Sequence, residues 1–145
     1  MLLGTERKTR EEAKRENPVV LAYLGDAVFS LYVRARLVGT SSGKPSEFQR
    51  ASSKIVSARC QSEFLETLLP LFTEEESDVF RRGRNAKKPT KSKSASAGEY
   101  NRSTGLESVL GFLYLVGDEE RIAYLLSHLS DGVFQAEKGA TAFKP

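Results

Sequence analysis

Residues 17–33 read NPVVLAYLGDAVFSLYV, an apolar run in which Asp26 is the only charged side chain. Pro18 suits the first turn of a helix, so the run predicts a helix over residues 18–38. A helix that is apolar on every face is expected to be buried on every face. We therefore predict an all-α fold, a helical bundle, with this helix inside it. A lone carboxylate in such surroundings is costly to bury unless it has a partner.

A second apolar run, TGLESVLGFLYLVG at residues 104–117, also contains a single charged side chain, Glu107. Two isolated carboxylates, one near each end of the chain, suggest a shared partner. A divalent cation is the obvious candidate, because hard cations take oxygen ligands. The alternative is that a serine, an arginine or a backbone amide satisfies each carboxylate separately, and composition alone leaves both interpretations open.

Helical spacing divides the first run into two apolar faces. The face expected to lie in the core consists of Val20, Leu24, Val28, Leu31 and Ala35. The opposite face, which carries Asp26, consists of Ala22, Tyr23, Phe29 and Val33. We expect another helix or another subunit to cover it, because an exposed apolar patch usually marks an interface. Tyr23, Phe29 and Val33 are the predicted homodimer interface.

The length of 145 residues is expected to give one domain. We assign residues 1–16 to an N-terminal arm, residues 17–138 to the helical domain and residues 139–145 to a flexible tail. No run of 18 or more apolar residues occurs, so we expect no membrane span. The single cysteine, Cys60, fits a reducing compartment. The single histidine, His128, has no Cys or His cluster near it, which gives a zinc site little support.

Local signals place the other helices. They are predicted at residues 45–69, 73–85, 104–116 and 118–134. Thr73 and Glu76 form a capping-box signature at the start of the second of these. Residues 87–103 are rich in Lys, Ser, Gly and Pro, which predicts a mobile loop. No alternating strand pattern competes with this reading.

The net charge of +3 is unevenly distributed. Residues 79–103 contain eight basic side chains and one acidic one, a net +7, which leaves −4 for the rest of the chain. The basic side chains are Arg81, Arg82, Arg84, Lys87, Lys88, Lys91, Lys93 and Arg102. Clustered Lys and Arg are the footprint of a polyanion site, and the alternative is a merely solvated loop.

Three segments resemble the ribonuclease III family, which cuts double-stranded RNA with divalent metal held by acidic side chains. The run YLGDAVFSLYVR at residues 23–34 resembles its signature helix. The run STGLESVLGFLYL at residues 103–115 resembles its second acidic helix, with Glu107 at a metal-binding position. Residues 56–87, VSARCQSEFLETLLPLFTEEESDVFRRGRNAK, resemble the Mini-III subgroup. As in that subgroup, we expect no separate double-stranded-RNA-binding domain.

The chain departs from the usual family signature at two positions. Ala22 stands where the signature has a glutamate, and Thr104 stands where it has an aspartate. Two of the four usual carboxylate ligands are therefore missing. Mini-III enzymes are similar in retaining a reduced set, and water completes a Mg²⁺ shell readily. Glu47 is a further acidic candidate.

The resemblance implies a metal-dependent endoribonuclease of the ribonuclease III type that cleaves double-stranded RNA as a homodimer. Asp26 and Glu107 would be the catalytic and metal-binding residues, with Mg²⁺ as cofactor and Mn²⁺ as a substitute. Mini-III resemblance implies maturation of the 23S ribosomal RNA precursor in a bacterial cytoplasm, with a plastid as the alternative. The competing function is a noncatalytic RNA-binding or ribosome-associated homologue. The predicted RNA-binding residues are Arg81, Arg82, Arg84, Asn85, Lys87, Lys88, Lys91, Lys93 and Arg102.

Overall fold

The computed structural model describes residues 3–88 and 96–138, and all regular structure within them is helical. The α-helices are α1 Arg10–Arg15, α2 Pro18–Thr40, α3 Pro45–Ile55, α4 Ala58–Leu68, α5 Glu74–Asn85, α6 Ala97–Leu115, α7 Glu119–Leu126 and α8 Asp131–Lys138. A short 3-10 helix, Leu69–Leu71, follows α4. The predicted all-α fold class is confirmed. The predicted tail, residues 139–145, lies outside the described residues.

Helix α6 is the centre of the bundle, with α2, α4 and α5 packed around it. Its apolar side chains from Leu106 to Leu113 are almost fully buried. The sequence suggested burial on every face for α2, and the structure shows it instead for the apolar part of α6. A helical segment surrounded by other helices needs no polar face, and residues 103–113 of α6 are buried except for Glu107.

Helix α2 buries one apolar face and exposes the other. The buried face consists of Leu21, Ala22, Gly25, Phe29, Val33 and Leu37. The exposed large side chains are Val20, Tyr23, Leu31 and Val38, which are 49%, 83%, 50% and 67% exposed. The predicted assignment of faces was wrong, because Phe29 and Val33 are 0% exposed in the core of the subunit itself. Of the three predicted interface residues, Tyr23 alone lies on the outside.

Helix α2 is long and apolar enough to cross a membrane. The core helix of a folded domain meets the same criterion of length and composition. In this structure its buried face packs on α6. Its other surfaces carry Asp26, Arg34 and Arg36. The length and hydropathy of α2 are therefore weak evidence of a membrane span.

Two glycines bring the backbones of α2 and α6 into contact. A methyl group at Gly25 would lie 1.7 Å from the carbonyl oxygen of Glu107. A methyl group at Gly111 would lie 1.9 Å from the carbonyl oxygen of Leu21. Because no side chain fits at either position, the crossing point of the two helices is set. Asp26 follows Gly25 directly and is brought to the Glu107 turn of α6.

Helix α6 begins two turns earlier than predicted. The Ser96 hydroxyl accepts from the Glu99 amide, and the Glu99 carboxylate accepts from the Ser96 amide, which makes a capping box. Residues 97–103, predicted as part of a mobile loop, are therefore helical, whereas residues 89–95 lie outside the described residues. The predicted helix at 45–69 is also divided, because Ser57 caps a new helix, α4.

The N-terminal arm is held against the bundle. The Lys8 amide donates to the Leu115 carbonyl at 2.8 Å. The Arg82 guanidinium donates to the carbonyls of Lys14 at 2.7 Å and Glu16 at 3.4 Å. These bonds satisfy carbonyls at the end of α1 that have no partner within the helix. The arm from residue 8 onward thus packs on α5 and on α6, the helix that carries Glu107.

Gly25→Ala and Gly111→Ala are each expected to destabilise the protein by ~3 kcal/mol or more, because the added methyl group forces two packed backbones apart. Gly39→Ala is the matched control on α2, since nothing lies within 4 Å of its added methyl group. That change should be neutral or stabilising by up to ~1 kcal/mol, as alanine favours helix. Urea unfolding measures all three. Equal free energies of unfolding for the three variants would contradict the close contact between α2 and α6.

Candidate active site

Asp26 of α2 and Glu107 of α6 lie within hydrogen-bonding reach of each other. Asp26 is an exposed residue, whereas Glu107 is largely covered. They are 81 positions apart in the chain, and the glycine crossing of α2 and α6 brings them together. The structure thus gives the two isolated carboxylates of the sequence a single location.

Burial raises the pKa of Glu107 to about 8, and the neighbouring Asp26 carboxylate raises it as well. A hydrogen bond from the Gln61 side chain acts in the opposite direction. Two carboxylates this close resist ionising together unless a positive charge compensates them. The pair therefore favours either a bound proton or a bound cation.

A cleft of about 450 Å³ opens over the carboxylate pair. Ala22 and Thr104 also line it. These are the two positions where the family signature has further carboxylates, so the missing side chains belong to this same cleft. The Thr104 hydroxyl donates to the Tyr100 carbonyl at 3.0 Å, which satisfies it within α6.

Gln61 of α4 is a site residue that the sequence reasoning missed. It is 2% exposed, and its Nε2 donates to Glu107 Oε2 at 3.1 Å and to the Val56 carbonyl at 2.9 Å. Its Oε1 is buried and has no hydrogen-bond partner among the described residues. The available signal was a polar residue on the buried face of α4, beside Phe64 and Leu65.

The donor set of the cleft fits a hard cation. It consists of the carboxylates of Asp26 and Glu107, a ligand type that Mg²⁺ and Ca²⁺ prefer. Within residues 3–88 and 96–138, no group of three or more His, Cys, Asp or Glu could hold a metal ion. Water would therefore complete the coordination, which Mg²⁺ accepts readily. Glu47 caps α3 instead, and its carboxylate accepts from the Lys44 amide at 2.8 Å.

Lys88 is the predicted RNA-binding residue that the structure places in the cleft wall. Its Nζ donates to the Arg84 carbonyl at 2.8 Å. Burial lowers the pKa of the Lys88 ammonium. A cation beside a carboxylate pair is well placed to meet the phosphate of a bound nucleic acid.

The remaining predicted RNA-binding residues near the end of α5 are Arg81, Arg84, Asn85 and Lys87. Arg81 pairs with Asp78 at 2.8 Å on the surface. The Arg84 guanidinium lies 5.6 Å from the centre of the Phe80 ring, and its Nε donates to Asn85. Lys87 is exposed.

Two predicted RNA-binding arginines instead make contacts within the subunit. Arg82 binds the carbonyls at the end of α1, as described above. Arg102 of α6 donates to the Ser62 hydroxyl at 2.9 Å and pairs with Glu66, both on α4. These guanidinium groups join helices, and contact of either arginine with RNA stays a prediction. Lys91 and Lys93 lie outside the described residues.

Comparison with known proteins identifies the family. Residues 19–118 match the Ribonuclease III domain family. A Mini-ribonuclease 3 of Staphylococcus aureus is 45% identical over 115 residues, which cover 78% of this chain and 86% of that protein. The chain belongs to the Mini-ribonuclease 3 family. A Mini-ribonuclease 3 of Synechococcus is 40% identical over 129 residues, covering 88% of this chain and 91% of that protein.

A solved structure supports the same fold. The X-ray crystal structure of a Fusobacterium nucleatum protein matches with a TM-score of 0.72 and 26% identity, covering 81% of this chain and 94% of that one. Membership of the Mini-ribonuclease 3 family makes the chain an endoribonuclease of the ribonuclease III family. Asp26, Gln61, Lys88 and Glu107 all fall within the matched domain.

Without added metal, the stability of the protein should fall as pH rises towards 8. The pKa of Glu107 is about 8 in the folded protein against 4.5 for an ordinary glutamate. The folded state therefore binds this proton more tightly, and its contribution to stability is complete below pH 4.5 and lost as pH rises through about 8.

Glu107→Gln replaces the protonated carboxyl with a neutral group of the same shape and should remove this dependence. In EDTA its melting temperature should match that of the wild type at low pH and exceed it by several degrees above pH 8, following the usual relation of stability to melting temperature. Glu120→Gln, at an exposed position on α7, is the matched control. A melting-temperature difference that is constant across pH would contradict the raised pKa.

Proposed function

We propose that this endoribonuclease cleaves double-stranded RNA with the help of Mg²⁺, or of Mn²⁺ in its place, held by Asp26 and Glu107. The observation that carries the proposal is the pairing of these carboxylates within hydrogen-bonding reach at the base of a cleft. Since a cation compensates the repulsion between two ionised carboxylates, the site is suited to positive charge. Oxygen donors favour a hard divalent ion.

A bound cation would supply an activated water and offset the charge that builds on the phosphate. The side chains of the cleft would position the cation and the RNA. Asp26 and Glu107 would hold the ion, Gln61 would orient Glu107, and Lys88 would attract the phosphate. Family resemblance implies 5′-phosphate and 3′-hydroxyl products, so water adds to phosphorus, the bond from phosphorus to O3′ breaks, and O3′ takes up a proton.

Duplex RNA is the proposed substrate. Proteins read it mainly by shape and by contacts to phosphate and 2′-hydroxyl groups. Lys88 in the cleft, with exposed Lys87 beside it in the chain, supplies positive charge for such contacts. The resemblance to Mini-III enzymes supports the ribosomal RNA precursor as the natural substrate and, with the single cysteine Cys60, a bacterial cytoplasm as the location.

A noncatalytic, RNA-binding role is the alternative that Ala22 and Thr104 favour. Both side chains lie in the cleft wall, so two expected acidic ligands are absent from the site itself. Retention of Asp26 and Glu107 as a neighbouring pair favours catalysis, because two adjacent carboxylates repel an RNA phosphate unless a cation lies between them. Cleavage assays distinguish the two functions directly.

Asp26→Asn and Glu107→Gln should each reduce cleavage of long duplex RNA below detection, because each removes a charge that the cation needs. Glu47→Gln is the matched control and should keep wild-type activity, as Glu47 caps α3 outside the cleft. Gel assays with Mg²⁺, and then with EDTA, measure the effect. Wild-type rates for either cleft mutant at saturating Mg²⁺ would refute the two-carboxylate site.

A homodimer across the exposed face of α2 is part of the proposal. Residues on that face recur at alternating spacings of four and three: Val20, Leu24, Ala27, Leu31, Arg34 and Val38. This is the spacing of a helix seam that packs against another helix. Tyr23, 83% exposed, flanks the seam and also lines the cleft. A two-fold axis here would bring two active sites together, one for each RNA strand.

Tyr23→Arg and Leu31→Arg should each convert the dimer to a monomer, because an unpaired charge would be buried in the contact. Tyr124→Arg, at a tyrosine 46% exposed on α7, is the control and should leave the dimer intact. Sedimentation equilibrium at micromolar concentration gives the mass. A wild-type mass equal to the 16.0 kDa of one chain would refute the dimer.

A further inference from the structure

We propose that Gln61 is a positioning residue: its side-chain amide holds the Glu107 carboxylate in the orientation that binds the cation. This inference depends on the proposed function, because it assumes a cation at Asp26 and Glu107. No motif in the sequence marks Gln61, and the contacts of the folded chain alone single it out.

The orientation of the Gln61 amide is determined by its two acceptors. Nε2 lies 3.1 Å from Glu107 Oε2 and 2.9 Å from the Val56 carbonyl oxygen. Both neighbours accept hydrogen bonds, so the NH₂ group must face them and the carbonyl oxygen must face away. The Val56 carbonyl follows the last turn of α3. Backbone at the end of α3 therefore anchors the amide that touches the carboxylate.

A glutamate side chain needs such an anchor to bind a cation tightly. Its rotatable bonds would otherwise let the carboxylate turn away, and ordering it costs entropy at the moment of binding. Partners of this kind that orient metal ligands typically change metal affinity by about 10–100-fold when removed. Gln61 is 2% exposed and packed on the buried face of α4, so its amide has little freedom to move.

The unpartnered Oε1 of Gln61 argues against a role in stability alone. A buried acceptor without a hydrogen bond is unfavourable for folding, and Oε1 has no partner among the described residues. An apolar side chain of similar length would fill the same space without that cost. The glutamine is therefore better explained by what its Nε2 does for Glu107 than by packing.

The test compares Gln61→Met with Gln49→Met. Methionine keeps the length of glutamine and removes the amide, and Gln49 is an exposed glutamine of α3 whose Nε2 donates to Ser53 Oγ at 3.3 Å. Mn²⁺ affinity is measured by isothermal titration calorimetry, and the melting temperature is measured in EDTA. We expect Gln61→Met to bind Mn²⁺ about tenfold more weakly and to melt no lower than the wild type. Gln49→Met should match the wild type in both measurements.

Cleavage assays across a Mg²⁺ series give a second readout: Gln61→Met should need more Mg²⁺ for half-maximal rate. Wild-type Mn²⁺ affinity would overturn the proposal, as would a lower melting temperature with unchanged affinity, the result expected of a purely structural glutamine. If Gln61→Met does not fold, Gln61→Asn decides in the same way, because its amide is one methylene too short to reach Glu107. Unchanged Mn²⁺ binding by Asp26→Asn and Glu107→Gln would refute the cation site itself. If these two variants lose Mn²⁺ binding and Gln61→Met keeps the wild-type affinity, only the role of Gln61 is refuted.

Discussion

The backbones of α2 and α6 touch at Gly25 and Gly111, and this contact governs the arrangement of the bundle and of its acidic site. Added methyl groups would lie 1.7 and 1.9 Å from carbonyl oxygens of the facing helix. Helix axes are usually kept 8–10 Å apart by their side chains, and these glycines remove that spacer. The contact determines which face of α2 is buried and brings Asp26 to Glu107. The acidic site and the exposed apolar face of α2 therefore both result from the contact at Gly25 and Gly111.

The candidate site is made at some cost to the stability of the fold. Glu107 is buried beside a second carboxylate, with its pKa raised to about 8. Next to it, Gln61 leaves a buried carbonyl oxygen without a partner. Natural proteins often break the rules of stable packing at functional sites. Both unfavourable features belong to residues that line the same cleft, and the repulsion between the carboxylates is relieved when positive charge is bound there.

An arginine in this domain can either join helices or face a nucleic acid, and its charge alone does not tell which. Arg82, Arg102 and Arg121 join helices through carbonyl and carboxylate oxygens. Arg121 makes two 2.8 Å bonds to Glu76, which is 3% exposed, and such bidentate pairs are the strong ones. A count of basic residues therefore overestimates the surface available to RNA. Among the described residues of the basic segment, Lys88 lines the same cleft as the two carboxylates.

The sequence by itself determined the all-α class, the helix opened by Thr73 and Glu76, and the importance of the two isolated carboxylates. These properties depend on local features: periodicity, helix caps and a charge among apolar neighbours. The buried face of α2 could not be predicted in this way, because both of its faces are apolar and a hydrophobic pattern cannot rank them. Tertiary structure decided that face, the role of Gln61 and the use of Arg82 and Arg102, since each depends on which atoms of distant segments come within hydrogen-bonding or van der Waals contact.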